Sequence, residues 1–243
     1  MNEERGYLTC SNCRLSSTCL PASPATIDRL QLDALVAGRR LVRRKEALFR
    51  RGDRFAAVYA IRAGAFKLCM AAEDGREQVS AFQRIGEIVG LDGIAADVHV
   101  CDAIALEDSV VCMLPLSRLE QYARHTPAFQ RCLHQVMSRE IVREQGMMVL
   151  LGSPRAAERV AGFLLDLALA EKMSGPNLSE CVLHMTRQEI AAHLALTIET
   201  VSRTLTRFVA EGVIELSRRH VRVADWDALR RMAGPRTEVG SVC

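Results

Sequence analysis

The sequence predicts an α+β protein: an antiparallel β-roll first, a long helix next, and a winged helix-turn-helix at the end. Three observations predict it. Between Arg40 and Pro115, short apolar or alternating runs are separated by turn residues at close spacing, as in a compact antiparallel roll or barrel. From Pro115 to Leu151 the pattern becomes helical. Nearer the C-terminus two short helical patterns are joined by three residues and followed by two strand patterns, the layout of a helix-turn-helix with a wing. The 243 residues are 49% hydrophobic and 25% charged, enough for two ordinary domains with soluble composition. The net charge of +3 does not by itself mark a nucleic-acid binder, and positive charge is expected to gather toward the C-terminus.

The first element is a cysteine cluster. Cys10, Cys13 and Cys19 stand in a Cys-x2-Cys-x5-Cys arrangement, in a segment with almost no apolar partners. Packing does not explain such density. Thiolates this close can converge on one soft metal centre, with a fourth ligand supplied elsewhere. The chain holds nine cysteines; a disulfide framework is disfavoured because Cys69, Cys112 and Cys132 lie inside apolar stretches. The N-terminal Met-Asn-Glu-Glu-Arg offers no apolar core for a signal peptide. The longest apolar run, Val160 to Ala170, is too short for a bilayer and contains Asp166. A reducing cytoplasm is the expected setting.

After Pro21 and Pro24 a short helix is expected from Ile27 to Leu35. The roll strands follow at Ala47–Phe49, Ala57–Ile61, Phe66–Cys69 and Gln78–Phe82, with turns at Arg51-Gly52-Asp53, Ala63-Gly64, Asp74-Gly75 and Ile85-Gly86. The segment from Pro115 to Leu151 reads as helix, with Pro127 suited to a first turn. In it Met137, Ile141, Glu144, Met148 and Leu151 repeat at 4-3-4-3 spacing, the seam of a two-stranded coiled coil. A carboxylate at Glu144 would face its twin across a symmetric dimer, and like charges at close range repel. Dimerisation is then marginal, as a switch requires. Gly152-Ser153-Pro154 ends the helix. The expected organisation is 1-28, cysteine-rich segment; 29-126, roll; 127-154, dimerisation helix; 155-243, winged helix-turn-helix.

In the last segment, an amphipathic helix from Ala156 to Glu171 precedes a loop and a strand at Cys181–Met185. Thr186-Arg187-Gln188-Glu189 is a capping box, starting a helix with Ile190, Ala191 and Leu194 inward. Ala195-Leu196-Thr197 turns into a second helix, Ile198 to Glu211, closed by Gly212. Val201, Leu205 and Phe208 point inward at i, i+4, i+7, leaving Glu199, Ser202, Arg203 and Arg207 outward. Arginine pairs with guanine O6/N7, and Glu accepts from cytosine N4. Val213–Leu216 and Val221–Val223 form a hairpin whose tip, Ser217-Arg218-Arg219-His220, suits phosphate contact. Any one of these arginines alone would read as a solvated helix face; together with the caps and turn they indicate a DNA-reading unit.

These residues resemble the FNR branch of the CRP/FNR superfamily of bacterial transcription regulators. The resemblance is carried by Tyr59-Ala60-Ile61-Arg62-Ala63-Gly64, Gly86-Glu87-Ile88-Val89-Gly90 and Leu196-Thr197-Ile198-Glu199-Thr200-Val201-Ser202-Arg203, with the cysteine triplet. It implies a [4Fe-4S] cluster on Cys10, Cys13, Cys19 and Cys112, where Cys112 stands in the place of the family's fourth ligand and Cys101 is its rival. It further implies that oxygen destroys the cluster, and that an intact cluster permits a homodimer to bind palindromic TTGAT-like sites in double-stranded DNA. Glu199, Ser202 and Arg203 match the base-reading positions; Thr197, Arg207, Arg218 and Arg219 complete the expected DNA face. Glu144 matches an acidic residue that disfavours the cluster-free dimer. RNA polymerase is the implied partner, through roll loops such as Glu73-Asp74-Gly75-Arg76. No cyclic nucleotide is expected, because the segment from Ile88 to Ala105 lacks the Arg-Ser/Thr pair that would hold a cyclic phosphate. Two departures stand out: Ala195 occupies a turn position usually held by Gly, at a cost of about 1 kcal/mol, and Arg14 places a cation beside the cysteines. Two other readings compete. One is a regulator of the same family whose cysteines hold zinc or respond to thiol oxidants. The other is an iron–sulfur enzyme, for which the sequence offers neither a Gly-rich phosphate loop nor radical-SAM cysteine spacing.

Overall fold

The computed structural model describes Cys10, Cys13 and residues 29–71, 77–174 and 180–234. Arg14, Cys19, Pro21, Pro24, Ile27, the Glu73–Arg76 loop and Cys243 lie outside the described residues. The chain divides into two compact units, the first taking residues up to 76 together with 80–138, the second taking 77–79 and 139 onward.

The first unit is the α+β roll. Helix α1 (Arg29–Leu35) precedes eight strands: β1 (Gly38–Val42), β2 (Ala47–Phe49), β3 (Ala57–Ala63), β4 (Ala65–Ala71), β5 (Glu77–Arg84), β6 (Ile88–Val89), β7 (Asp102–Ala105) and β8 (Ser109–Pro115). They form two four-stranded sheets, ordered β1-β8-β3-β6 and β2-β7-β4-β5. Antiparallel β3 and β8 pair Ala60 with Cys112 and Val58 with Leu114. Because β3 is buried on both faces, its run is nearly continuous in apolar residues. Val58 and Ala60 join a core with Leu32, Leu114, Leu119 and Phe129 beneath the helices; Ile61 joins Val42, Phe66 and Val111 in a core drawn from both sheets. Each such large side chain contributes roughly 1.5–3 kcal/mol on burial. Gly64 turns β3 into β4 with φ of +87°, and a Cβ there would collide with Ser109, so the Ala63-Gly64 turn signal has both a dihedral and a steric cause.

The single helical stretch expected from Pro115 to Leu151 is two helices, α2 (Leu116–His125) and α3 (Pro127–Gly152). Pro127 is the reason. The residue before a proline is driven from helical angles, and Thr126 has φ −134°, ψ 87°. Its carbonyl still accepts from the Phe129 and Gln130 amides, so α3 starts at once.

In the second unit, α4 (Ala156–Ser174) packs against α6 (Ile198–Ala210), α7 (Trp226–Ala233) and β9 (Glu180–Val182). Helix α5 (Arg187–Leu194) packs on α6, and β10 (Ile214–Ser217) with β11 (His220–Val223) completes a sheet of order β10-β11-β9. None of the described helices is long and apolar enough to cross a membrane. One expectation fails. Residues 155–234 carry eleven Arg or Lys against ten Asp or Glu, whereas Gly38 to Arg54 carries eight against two. Positive charge gathers at the start of the roll, not toward the C-terminus.

Candidate nucleic-acid interface and cysteine centre

The reading helix is held at both ends and behind. The capping box forms: the Thr186 amide donates to Glu189 Oε2 at 2.7 Å and the Glu189 amide to Thr186 Oγ1 at 3.2 Å. Ala195 takes the left-handed conformation expected of it, φ 52° and ψ 48°. Thr197 then caps α6, its hydroxyl accepting from the Thr200 amide at 3.2 Å. Val201, Leu205 and Phe208 are at most 1% exposed, so the i, i+4, i+7 pattern is the buried face. Glu199 and Arg203 are exposed with no partner among the described residues, and Ser202 is half-buried between them. Arg207 is exposed but engaged: it pairs with Glu211 at 3.7 Å and lies 5.6 Å from the Phe208 ring centre. At the wing, Ser217 pairs with His220, leaving Arg218, at φ 54°, and Arg219 exposed at the tip. The side-chain bond from Arg222 Nε to Glu215 at 2.8 Å ties the two wing strands.

Three features go beyond the sequence pattern. Arg159 of α4 clamps the turn: its Nη1 donates to the carbonyls of Leu194 and Ala195 at 3.2 and 3.4 Å, and its Nε to Ser153 at 2.9 Å. No local signal distinguishes it from a solvated arginine. His193 is buried, with its ring edge-on to Phe163 and Nδ1 3.1 Å from the Val79 carbonyl of the same unit; burial pushes the imidazole down to about 4. Helix α7 has no counterpart among the expected elements, although Asp225, whose carboxylate accepts from the Ala228 amide at 2.9 Å, is a legible N-cap.

Along α3, the expected seam is open. Met137 is 36% exposed, Ile141 58% and Met148 70%; Glu144 is exposed without a partner among the described residues, and Leu151 is half-buried. Four of five seam positions therefore present a largely uncovered stripe.

Two of the candidate ligands share one core, and the rival fourth ligand lies in another. Cys10 and Cys112, 102 positions apart, pack against the same apolar core of Leu32, Val58 and Phe129. The Cys13 amide donates to the Cys10 carbonyl at 3.3 Å, and the Cys10 amide to Asp33 Oδ1 at 2.5 Å. Burial pushes the Cys10 thiol up to about 12, with further contributions from the Asp33 hydrogen bond and charge and from nearby Cys112 and Cys13. Cys101 belongs to the other core; its thiol donates to Asp92 Oδ2 at 3.5 Å, and burial raises it too. Among the described residues, which omit Cys19, no three His, Cys, Asp or Glu converge closely enough to hold a metal ion.

Comparison with known proteins fits this geometry. Residues 39–126 match the cyclic nucleotide-binding domain family and residues 158–232 the Crp-like helix-turn-helix domain family. The chain is 39% identical over 225 residues to the transcriptional activator protein FnrA of Stutzerimonas stutzeri, covering 93% of this chain and 92% of that one. It is 34% identical over 225 residues to the fumarate and nitrate reduction regulatory protein of Escherichia coli, covering 93% and 90%. Among solved structures, FixK2 of Bradyrhizobium japonicum superposes with a TM-score of 0.76 at 28% identity, over 84% of this chain and all of that one.

Proposed function

The chain belongs to the CRP/FNR family of transcription regulators, and from that premise we propose that it is an oxygen-responsive, cytoplasmic regulator holding a [4Fe-4S] cluster on Cys10, Cys13, Cys19 and Cys112. The carrying observation is that Cys10 and Cys112 lie over one apolar core while Cys101 lies in another. The donor set suits the group: thiols are the ligands of iron–sulfur clusters. Cys10 sits where a lone thiolate is disfavoured by burial and by Asp33, so its ionised form calls for a cationic partner. When bound, the cluster supplies a redox- and oxygen-sensitive centre.

The protein's own residues do the rest. Residues 1-28 and the roll, 29-126, form the sensor; 127-154 serves dimerisation; 155-243 reads DNA. Met137, Ile141, Met148 and Leu151 bury their stripe against a second copy, and Glu144 opposes that association unless the sensor favours it. In the dimer, two reading helices meet TTGAT-like half-sites one helical turn apart. Glu199, Ser202 and Arg203 address base edges, while Thr197, Arg218 and Arg219 take phosphates; Arg207 joins them only by releasing Glu211. RNA polymerase is the partner of the DNA-bound dimer. The Ile88–Ala105 segment lacks the cyclic-phosphate residues, so the roll senses through its cysteines rather than a cyclic nucleotide.

Iron and acid-labile sulfide analysis on anaerobically purified protein, with a visible spectrum and operator binding before and after air, tests the reading. The expected result is a brown protein that bleaches and releases DNA in air. A colourless, zinc-containing protein with unchanged DNA affinity in air would replace it with the zinc or thiol-responsive alternative.

A further inference from the structure

The cysteine centre has a close neighbour that is neither a thiol nor a cation. Helix α1 is fixed to the roll at two places. Leu32 and Leu35 are buried in the core that also holds Phe129, and just beyond the helix the Ala37 amide donates to the Met113 carbonyl at 2.9 Å. Strand β1 then pairs Arg39 with Cys112. Asp33, half-buried on α1, therefore stands on an element tied directly to the strand that carries Cys112. Its Oδ1 accepts from the Cys10 amide at 2.5 Å, across 23 positions of chain, and its carboxylate also accepts from the Cys10 thiol.

Holding a backbone amide needs an acceptor but not a charge, and an asparagine would serve. The charge of Asp33 does nothing for its own helix. It lies in the last turn of α1, which holds no basic residue, where a carboxylate opposes the helix dipole. Nor is it neutralised: among the described residues no ion pair engages Asp33. Arg118 reaches α1 but donates to the Ala34 carbonyl, at 3.1 Å. The group left for the charge to act upon is the sulfur of Cys10.

We propose that Asp33 is the positioning residue of the cysteine centre: its acceptor oxygen brings Cys10 to Cys112, and its charge keeps the ligated state labile. The inference rests on the [4Fe-4S] reading and adds to it a named source of that lability. As a thiol, Cys10 donates to Asp33. As a thiolate it has no proton to donate, and two anions then face each other beside an apolar core, where opposition is stronger than in open water. The bond to the Cys10 amide survives the change, because the backbone N–H is untouched. Asp33 thus holds Cys10 in place in both states and favours its sulfur only in the cluster-free one. A ligand so placed is the first to let go, and it stays within reach for recapture.

The test compares full-length wild type with Asp33→Asn, which keeps the acceptor and drops the charge, and Asp33→Ala, which drops both. Iron and acid-labile sulfide per chain are measured after anaerobic reconstitution, and then the rate of iron loss to an excess of chelator, still without oxygen. Asp33→Asn should load to the wild-type level and lose iron about fivefold more slowly, the factor expected from two like charges roughly 4 Å apart in water. Asp33→Ala should load with affinity lower by about tenfold or more, as when a partner that orients a metal ligand is removed. Urea unfolding of the cluster-free proteins separates lost iron from lost fold, and if the alanine variant does not fold, the asparagine variant alone decides the role of the charge. Iron loss from Asp33→Asn at the wild-type rate or faster would overturn the lability and leave a merely structural acceptor. Full loading of folded Asp33→Ala would overturn the positioning. A wild type that binds neither iron nor sulfide would remove the cluster reading itself, and this role of Asp33 with it.

Discussion

Two titratable groups withdrawn from water, Cys10 in the first unit and His193 in the second, are both driven toward their neutral forms, and they mean opposite things. His193 ends up satisfied: its Nδ1 is within 3.1 Å of a carbonyl and its ring lies edge-on to Phe163. The unit around it is complete as folded, with caps, turn clamp and core in place. Cys10 is raised to about 12 with a carboxylate as its charged neighbour. A free thiol fills that position adequately, but a thiolate does not. The reading unit is finished by its own chain; at Cys10 the neutral thiol is the favoured form, and under the proposed function a bound cluster would supply the cations that its ionised form requires.

The largest expected effect breaks the comparison at the cysteines. Cys112→Ser should abolish bound iron and sulfide and lower anaerobic operator affinity by at least roughly 100-fold, whereas Cys101→Ser, in the other core and bonded to Asp92, should leave both intact. Metal analysis and operator binding on the two variants decide it; equal effects would erase the distinction between the cores.

His193 tests the completeness of the second unit. Its folded value of about 4 lies below the ordinary 6.5, so the neutral ring favours the folded state. The sign follows. Stability from this group is full above about 6.5, declines as acid protonates the unfolded chain, and falls no further below about 4. The span corresponds to about 3 kcal/mol. Urea unfolding at several pH values should show this slope in wild type and a flatter one in His193→Gln. A variant with the wild-type slope would mean that the ring is not withdrawn from water in solution.

Arg203 and Arg207 share a helix face but not a state. Arg203→Met should cost about 1–3 kcal/mol of operator affinity and relax base preference, while Arg207→Met should cost less, because Glu211 already holds that guanidinium. Binding to an operator substitution series separates them, and the reverse order would show that the Glu211 pair opens on DNA. Glu144→Ala should tighten the air-exposed dimer by about 1 kcal/mol, the scale of two like charges 4 Å apart in water. Sedimentation in air measures it, and an unchanged monomer fraction would remove seam repulsion from the switch.

The same contrast explains what could be read from the chain. The helix-turn-helix was legible because its determinants are local: Thr186 and Glu189 are three residues apart, and the buried triad of α6 repeats within eight. The roll was legible in kind but not in full. Its Arg-rich edge strand β1 carries no apolar alternation, and the break at Thr126 is encoded only by the following Pro127. Arg159 lay beyond sequence reasoning because its acceptors are the carbonyls of Leu194 and Ala195, and carbonyls have no residue signature. The placement of Cys112 against Cys10 depends on β8 and an N-terminal segment meeting over one core, which no local spacing encodes.

The smallest effect probes whether the reading unit is complete to the last turn. Ala195 holds a left-handed turn at φ 52°, a conformation that costs a residue with a Cβ roughly 1–2 kcal/mol. Glycine relieves that strain but surrenders about 0.5–1 kcal/mol to the greater freedom of its unfolded chain. Ala195→Gly should therefore stabilise the protein by about 0.5 kcal/mol, and Ala195→Val, whose branched side chain suits this region least, should destabilise it by more than that. Chemical denaturation measures both. If glycine is neutral or harmful, the two hydrogen bonds from Arg159 to the Leu194 and Ala195 carbonyls already hold the turn so firmly that its intrinsic strain is offset, and loosening the backbone weakens the clamp. In that case Arg159→Met should restore the benefit of glycine, because the turn would again be governed by its own dihedral preference.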